Sequence, residues 1–234
     1  MVRCTASSCT TGFKSGMNEA NVASIMNRAA TQDLRAIKDW PLIKQVLAGG
    51  PAPSKLAQEA ANLVTTWAQN GASRYGVTGP EDPGAAVLDQ AWKPIGEAVL
   101  GPVLGPELTN EFASIDSPDN GPSPSGSAYG GGWYGYVNKD LRTELNQPVQ
   151  APYSTRYCGL GNLKRCRASL WAAIQTAAEQ LEKSQGSVPS NWRAARVRIE
   201  FPPLPKALFP FTMAWTNRST FQQVIEFTGH GPTE

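Results

Sequence analysis

A hydrolytic triad needs a histidine to move the proton between nucleophile and leaving group. The chain has one, His230, close to its last residue. A terminal histidine reads as a frayed end rather than as a base. A single histidine also removes the common zinc sites, and Cys4, Cys9, Cys158 and Cys166 lack the CxxC spacing of a zinc cluster. No phosphate loop, GxSxG elbow or dinucleotide fingerprint is present. Gly130 to Gly132 would donate to an oxyanion only beside a nucleophile, and none stands in a matching context. Glu81-Asp82-Pro83-Gly84 has too few oxygen ligands for calcium and reads as a helix start. The aromatic patch Tyr129, Trp133, Tyr134 and Tyr136 has faces that can stack on a sugar or a ring, but the expectation is anchoring in the core beside a loop. Cys158 and Cys166 bracket a short glycine-rich turn that leads into a helix. A disulfide there closes a small loop and contributes about 2–3 kcal/mol in the chain-entropy account. Two free thiols, with Cys166 buried on the helix, is the alternative.

Composition narrows the partners. Apolar residues make up 41% of the chain, enough for a packed core, while charged residues at 17% leave a surface that is polar without being ionic. A net charge of +2 with scattered Lys and Arg argues against nucleic acid. The short run Lys164-Arg165-Cys166-Arg167 reads as the solvated face of a helix. No apolar run approaches the roughly 18 residues that span a bilayer, so no membrane partner is expected. The N-terminus has no apolar stretch of the signal-peptide kind.

The elements that would position any site fall in two halves. Val22, Ile25, Met26 and Ala29 give residues 18–30 helical spacing. Thr31 is the expected cap of a second helix, with Asp33 in its first turn and a break predicted at Pro41. Ser54 caps a third helix that Asn70-Gly71 ends. A fourth runs over residues 84–100, weakened by Pro94. Residues 137–145 have weak helical character, and Asn162 caps the best helix in the chain. Period-two alternation then predicts strands at 196–201, 211–215 and 220–227. Helices first and strands last, without βαβ alternation, predicts an α+β fold. The expected organisation is an irregular segment at 1–16, a helical lobe at 17–115, a Gly/Pro/Ser-rich loop at 116–132, and mixed helix and closing strands at 133–234. Three strands are few for a sheet of their own. They look like members of a sheet completed by another chain, and their unpaired edges predict poor solubility in isolation.

Three stretches carry a resemblance: YGYVNKDLRT at 134–143, RYCG at 156–159 leading to CRASLW at 166–171, and MAWTNRSTFQQVIEF at 213–227. In this order they resemble the C-terminal part of the penicillin acylase (penicillin amidase) family. MNEAN at 17–21, AATQDLR at 29–35 and DPGAA at 82–86 also fit it. The resemblance covers nearly all of residues 17–226; residues 1–15 do not match.

The resemblance implies an N-terminal nucleophile hydrolase with an αββα core. Its precursor is exported, secreted or periplasmic, and excises a spacer to leave an α and a β chain. The first residue of the β chain is a Ser whose own amino group serves as base, so no histidine is required. Backbone and Asn donors hold the oxyanion while a linear amide, typically a β-lactam side chain, is hydrolysed. The family's nucleophile, oxyanion Asn and calcium ligands lie in the α chain and the first half of the β chain. The resemblance therefore places no catalytic, cofactor or metal residue on this sequence. The loop at 73–80 also lacks the Asp-rich character it has in several relatives. The chain is accordingly expected to be an inactive fragment whose partner is the front half. A stand-alone binding module, or an accessory subunit paired with a separately encoded front half, is the alternative.

Overall fold

The structure, a computed structural model, describes residues 18–74, 82–114 and 134–194, and the backbone at 198–199 and 213–214. Its first helix, α1, spans Glu19–Thr31 and is capped by the Asn18 carboxamide, which accepts from the backbone N–H of Asn21. Thr31 is the last residue of this helix rather than the cap of the next. The capping role falls to Asp33, whose Oδ1 accepts from the backbone N–H of Arg35 at 2.9 Å. The break predicted at Pro41 takes the form of a π-helical turn, Arg35–Asp39, with Pro41 in the first turn of the helix α2, Trp40–Leu47. The π-helical turn runs into α2 on helical backbone, the Trp40 N–H donating to the Arg35 carbonyl, and its wider turn accommodates a proline that cannot extend the ladder. The wide turn buries Arg35, Ala36 and Asp39 together.

Helix α3, Lys55–Gln69, begins where expected: the Ser54 hydroxyl accepts from the backbone N–H of Ala57 at 3.1 Å. Its apolar stripe buries Ala57, Ala60, Ala61, Val64 and Trp67. Asn70 ends it and Gly71 follows with positive φ. Helix α4, Pro83–Ser114, is longer than the spacing predicted. The Asp82 carboxylate accepts from the backbone N–H of Gly84 at 2.8 Å, so the acidic turn is a helix start. Gly84 is required by a close crossing: a Cβ there would lie 2.6 Å from both the Leu63 carbonyl oxygen and the Trp67 Cβ. Pro94 is accommodated because the carbonyl that loses its partner belongs to Gln90, on the exposed side. The helix breaks at Gly105 (φ 72°), and Pro106 starts a second segment in a new direction.

Helix α5, Tyr134–Glu144, is followed by a 3-10 turn at Cys158–Gly161 and then by α6, Leu163–Gln185. The Asn162 side chain caps α6 by accepting from the backbone N–H groups of Lys164 and Arg165. Lys164 and Arg165 are exposed, as a solvated face requires, whereas Arg167 is drawn inward, its Nε donating to the Val46 carbonyl at 2.8 Å. The core is one continuous cluster. Helix α4 packs chiefly on α6 and α3, and Trp40, Ile43, Val64, Trp67, Leu88, Ile95, Leu170, Ile174 and Trp192 are almost completely removed from solvent.

The α+β expectation, with closing strands of an αββα core, is overturned. The architecture of the described residues is helical, and no sheet underlies it. Arg198 opposite Ala214 and Ile199 opposite Met213 make an antiparallel pairing two residues long, too short to form a layer. The reason is physical. A period-two pattern states that a segment will extend if a neighbour offers a ladder, but it does not supply that neighbour. Helix-to-helix packing closes the core of the described residues. The third strand candidate, at 220–227, and the loop at 116–132 lie outside the described residues.

Candidate functional site

Helix α5 turns an unusual face inward. Val137, Asp140, Leu141 and Glu144 recur at the spacing of one helical stripe, and all four are buried. The two carboxylates have different partners. Asp140 accepts from the backbone N–H of Tyr157 through Oδ1 and from that of Cys158 through Oδ2, both at 2.9 Å. It thereby fixes the turn that carries the disulfide. Glu144 faces Arg156 at 3.6 Å, an ion pair beyond hydrogen-bond length. Burial raises the pKa of both carboxyls, against the Tyr157 and Cys158 N–H groups at Asp140 and against Arg156 at Glu144.

The predicted bridge is present: Cys158 and Cys166 are joined with Sγ–Sγ 2.01 Å, across eight residues. The intervening turn needs left-handed backbone at Gly159 (φ 61°), where a Cβ would stand 2.5 Å from the Cys166 amide nitrogen. Both sulfurs are buried. Asp140, the turn, the bridge and the cap of α6 therefore form one joint between α5 and α6.

A second polar cluster ties the front of the molecule. Asp33, Arg35 and Arg74 are buried and Asp89 is nearly so. Arg35 Nη2 donates to Asp33 Oδ2 and Asp89 Oδ1, both at 2.6 Å, and Arg74 Nη2 donates to Asp89 Oδ2 at 2.6 Å. Arg74 Nη1 reaches Asp33 Oδ2 at 3.1 Å. Two guanidiniums against two carboxylates leave the cluster neutral. Burial works against the Arg35 charge, but Asp33 and Asp89 outweigh it and hold the guanidinium above its ordinary pKa. Asp39, fully buried beside this cluster, accepts from Asn138 Nδ2 at 2.8 Å through Oδ1, while Oδ2 has no hydrogen-bond partner among the described residues. Burial drives its carboxyl well above the usual range, which the Asn138 hydrogen bond offsets only in part.

The third feature is an open groove of about 380 Å³ at the break in α4. Leu100, Leu104 and Leu108 form one side, and Tyr136, Tyr153 and Tyr157 the other. Tyr136 corrects the expectation of core anchoring: it is 47% exposed and stacks on Tyr153, with ring centroids 6.5 Å apart. Tyr153 meets Tyr157 edge-on at 5.5 Å, and Lys139 Nζ lies 4.1 Å over the Tyr153 ring. Burial, together with Tyr136, Asp140 and Tyr157, pushes the Tyr153 phenol up to about 12, so it remains a neutral hydrogen-bonding group. Tyr129, Trp133, Gly130 to Gly132 and His230 lie outside the described residues.

Sequence reasoning singled out Cys158 and Cys166, which the fold brings together. It missed Asp140, Glu144 and the groove. The i, i+3, i+4, i+7 recurrence in α5 was a usable signal, hidden because two of its members are carboxylates. Among the described residues no group of three or more His, Cys, Asp or Glu is placed to hold a metal, and no helix is long and apolar enough to cross a membrane. Compared with known proteins, the chain matches no protein-family model and no curated protein.

Proposed function

We propose that this chain is the C-terminal part of an exported amide hydrolase of the penicillin acylase type. It acts together with a front half that supplies the Ser nucleophile and the oxyanion Asn. The substrate is a linear amide, such as the side-chain amide of a β-lactam. The role of this chain is to stabilise the assembled enzyme, and no catalytic residue is assigned to it.

One observation carries the reading. Stretches that resemble the family at separate points of the sequence meet at a single joint. Asp140 of the 134–143 stretch accepts from the backbone N–H groups of Tyr157 and Cys158, and Cys158 is bridged to Cys166 at the head of the 166–171 stretch.

The test is co-expression. The chain alone and the chain with the product of the reading frame upstream of Met1 are assayed with phenylacetyl-p-nitroanilide. Release of nitroaniline by the pair, and none by the chain alone, is the expected result. A stable pair that is silent on a panel of aryl and alkyl acyl amides would overturn the reading. A non-catalytic binding subunit is the second reading, and the tyrosine-lined groove is the observation that favours it.

A further inference from the structure

The π-helical turn and helix α5 meet at one buried carboxyl. Asp39 closes the turn and is completely removed from solvent. Asn138 reaches it from α5: Nδ2 donates to Asp39 Oδ1 at 2.8 Å and to the Lys38 carbonyl at 3.1 Å. Asp39 Oδ2 is equally buried and has no hydrogen-bond partner among the described residues. A neutral carboxyl tolerates this setting, whereas a carboxylate would leave an unpaired charge in the interior. Nothing nearby is free to offset that charge. Arg35 faces Asp39 from the same turn but is held by Asp33 and Asp89, and Asp33 repels a charge at Asp39. Arg74 completes that neutral cluster. Lys38 and, on α2, Lys44 are exposed, and Lys139, beside Asn138 on α5, lies 4.1 Å over the Tyr153 ring. Helix α3, which meets the end of the turn where Trp40 donates to Thr65, carries no charged residue beyond Glu59.

The two halves of α5 are held differently. Asp140 fixes the second half through the Tyr157 and Cys158 N–H groups beside the disulfide. The first half carries Tyr136, which stacks on Tyr153 at the groove, and Asn138 ties that half to the turn. Lifting it would also expose Val137, so closure is favoured while Asp39 is neutral. We infer that Asp39 and Asn138 form a proton-operated latch: when Asp39 loses its proton to water, the first half of α5 leaves the π-helical turn, with the Asp140 joint as hinge, and the Tyr136 side of the groove moves. The direction follows from linkage. In the open state Asp39 meets water and ionises near pH 4, whereas in the closed state burial holds its carboxyl well above the usual range. Closure is therefore fully supported below the open-state value and weakens as pH rises through the closed-state one. Between the two, release of one proton raises the open population about tenfold per pH unit.

Native-state amide exchange on the full chain tests this, with rates divided by intrinsic exchange at each pH and small additions of urea to separate local from global opening. From about pH 5 to about pH 8, protection at residues 138–140 is expected to fall by up to about tenfold per unit, through a route insensitive to urea. Ile174 in α6 should exchange through a urea-sensitive one. Asp39→Asn carries no charge at any pH and should leave a flat profile in α5. Asn138→Ala, which removes the tie but no charge, should speed exchange in α5 already at the acid end. Urea dependence in α5 equal to that of Ile174 at every pH, a flat wild-type profile, the wild-type slope in Asp39→Asn, or unchanged exchange in Asn138→Ala would each overturn the inference.

Discussion

Asp140 gives two backbone N–H groups their acceptor, and both its oxygens are used. Asp140→Ala leaves the Tyr157 and Cys158 N–H groups without a partner in a buried setting. Each such loss costs about 1–3 kcal/mol, so a drop of about 3–5 kcal/mol in unfolding free energy is expected in urea melts. Asp140→Asn, which keeps one acceptor oxygen and turns the other into an NH2 donor, should lie between the two. A loss under 1 kcal/mol for the alanine variant would show that the turn holds without its cap. Asp39 makes a different prediction, because its pKa is raised well above the ordinary value. Its folded form holds a proton that the unfolded chain releases near pH 4. The stability this contributes is complete below the unfolded pKa and is lost as pH rises through the folded one. Melting temperature should therefore fall from mildly acidic to alkaline pH, and Asp39→Asn should flatten that decline. An equally steep profile in the variant would assign the dependence to other groups, such as Asp140 and Glu144.

At the scale of elements, the disulfide and the helix cap act as one device. A bridge across eight residues restricts the unfolded chain by about 2–3 kcal/mol. Replacing Cys158 and Cys166 together by Ser should lower stability by that amount and lower it less in an Asp140→Ala background, because the turn would already be released. Simple additivity in a double-mutant cycle would refute that coupling. These elements also show what the sequence disclosed. The caps Ser54 and Asn162 and the bridge were legible because each is a local device, set by a side chain and the backbone a few residues away. The break at Gly105 and the buried carboxylates of α5 were not. Pro102, Gly105 and Pro106 announce a disruption without its direction, and Asp140 reads as a surface residue until its partners at 157 and 158 are known. Alternation at 196–201 located extended backbone at Arg198–Ile199, which pairs with Met213–Ala214, but it could not give the extent of the ladder, because that is non-local information.

At the scale of the molecule, the buried cluster of Asp33, Arg35, Arg74 and Asp89 joins three segments: the start of the π-helical turn, the chain beyond α3, and α4. Such a cluster adds little over a well-packed apolar replacement, but breaking it is costly, because the remaining charges stay buried. Asp33→Ala leaves two guanidiniums facing Asp89 alone, and a loss of about 3–5 kcal/mol follows. Asp89 is itself 14% exposed, but its partners Arg35 and Arg74 are 1% and 2% exposed, so replacing it also leaves two buried guanidiniums, facing Asp33 alone. Where the damage is felt depends on whether the helices unfold together. Helix α4 carries Asp89 and packs chiefly on α6, so the cluster and α6 share one core although no member of the cluster lies on α6. Asp33→Ala should then speed amide exchange in the middle of α6, around Ile174, by the factor that its global destabilisation requires. Unchanged protection in α6, with faster exchange confined to α1 and α2, would instead show that the front of the molecule opens as a separate unit.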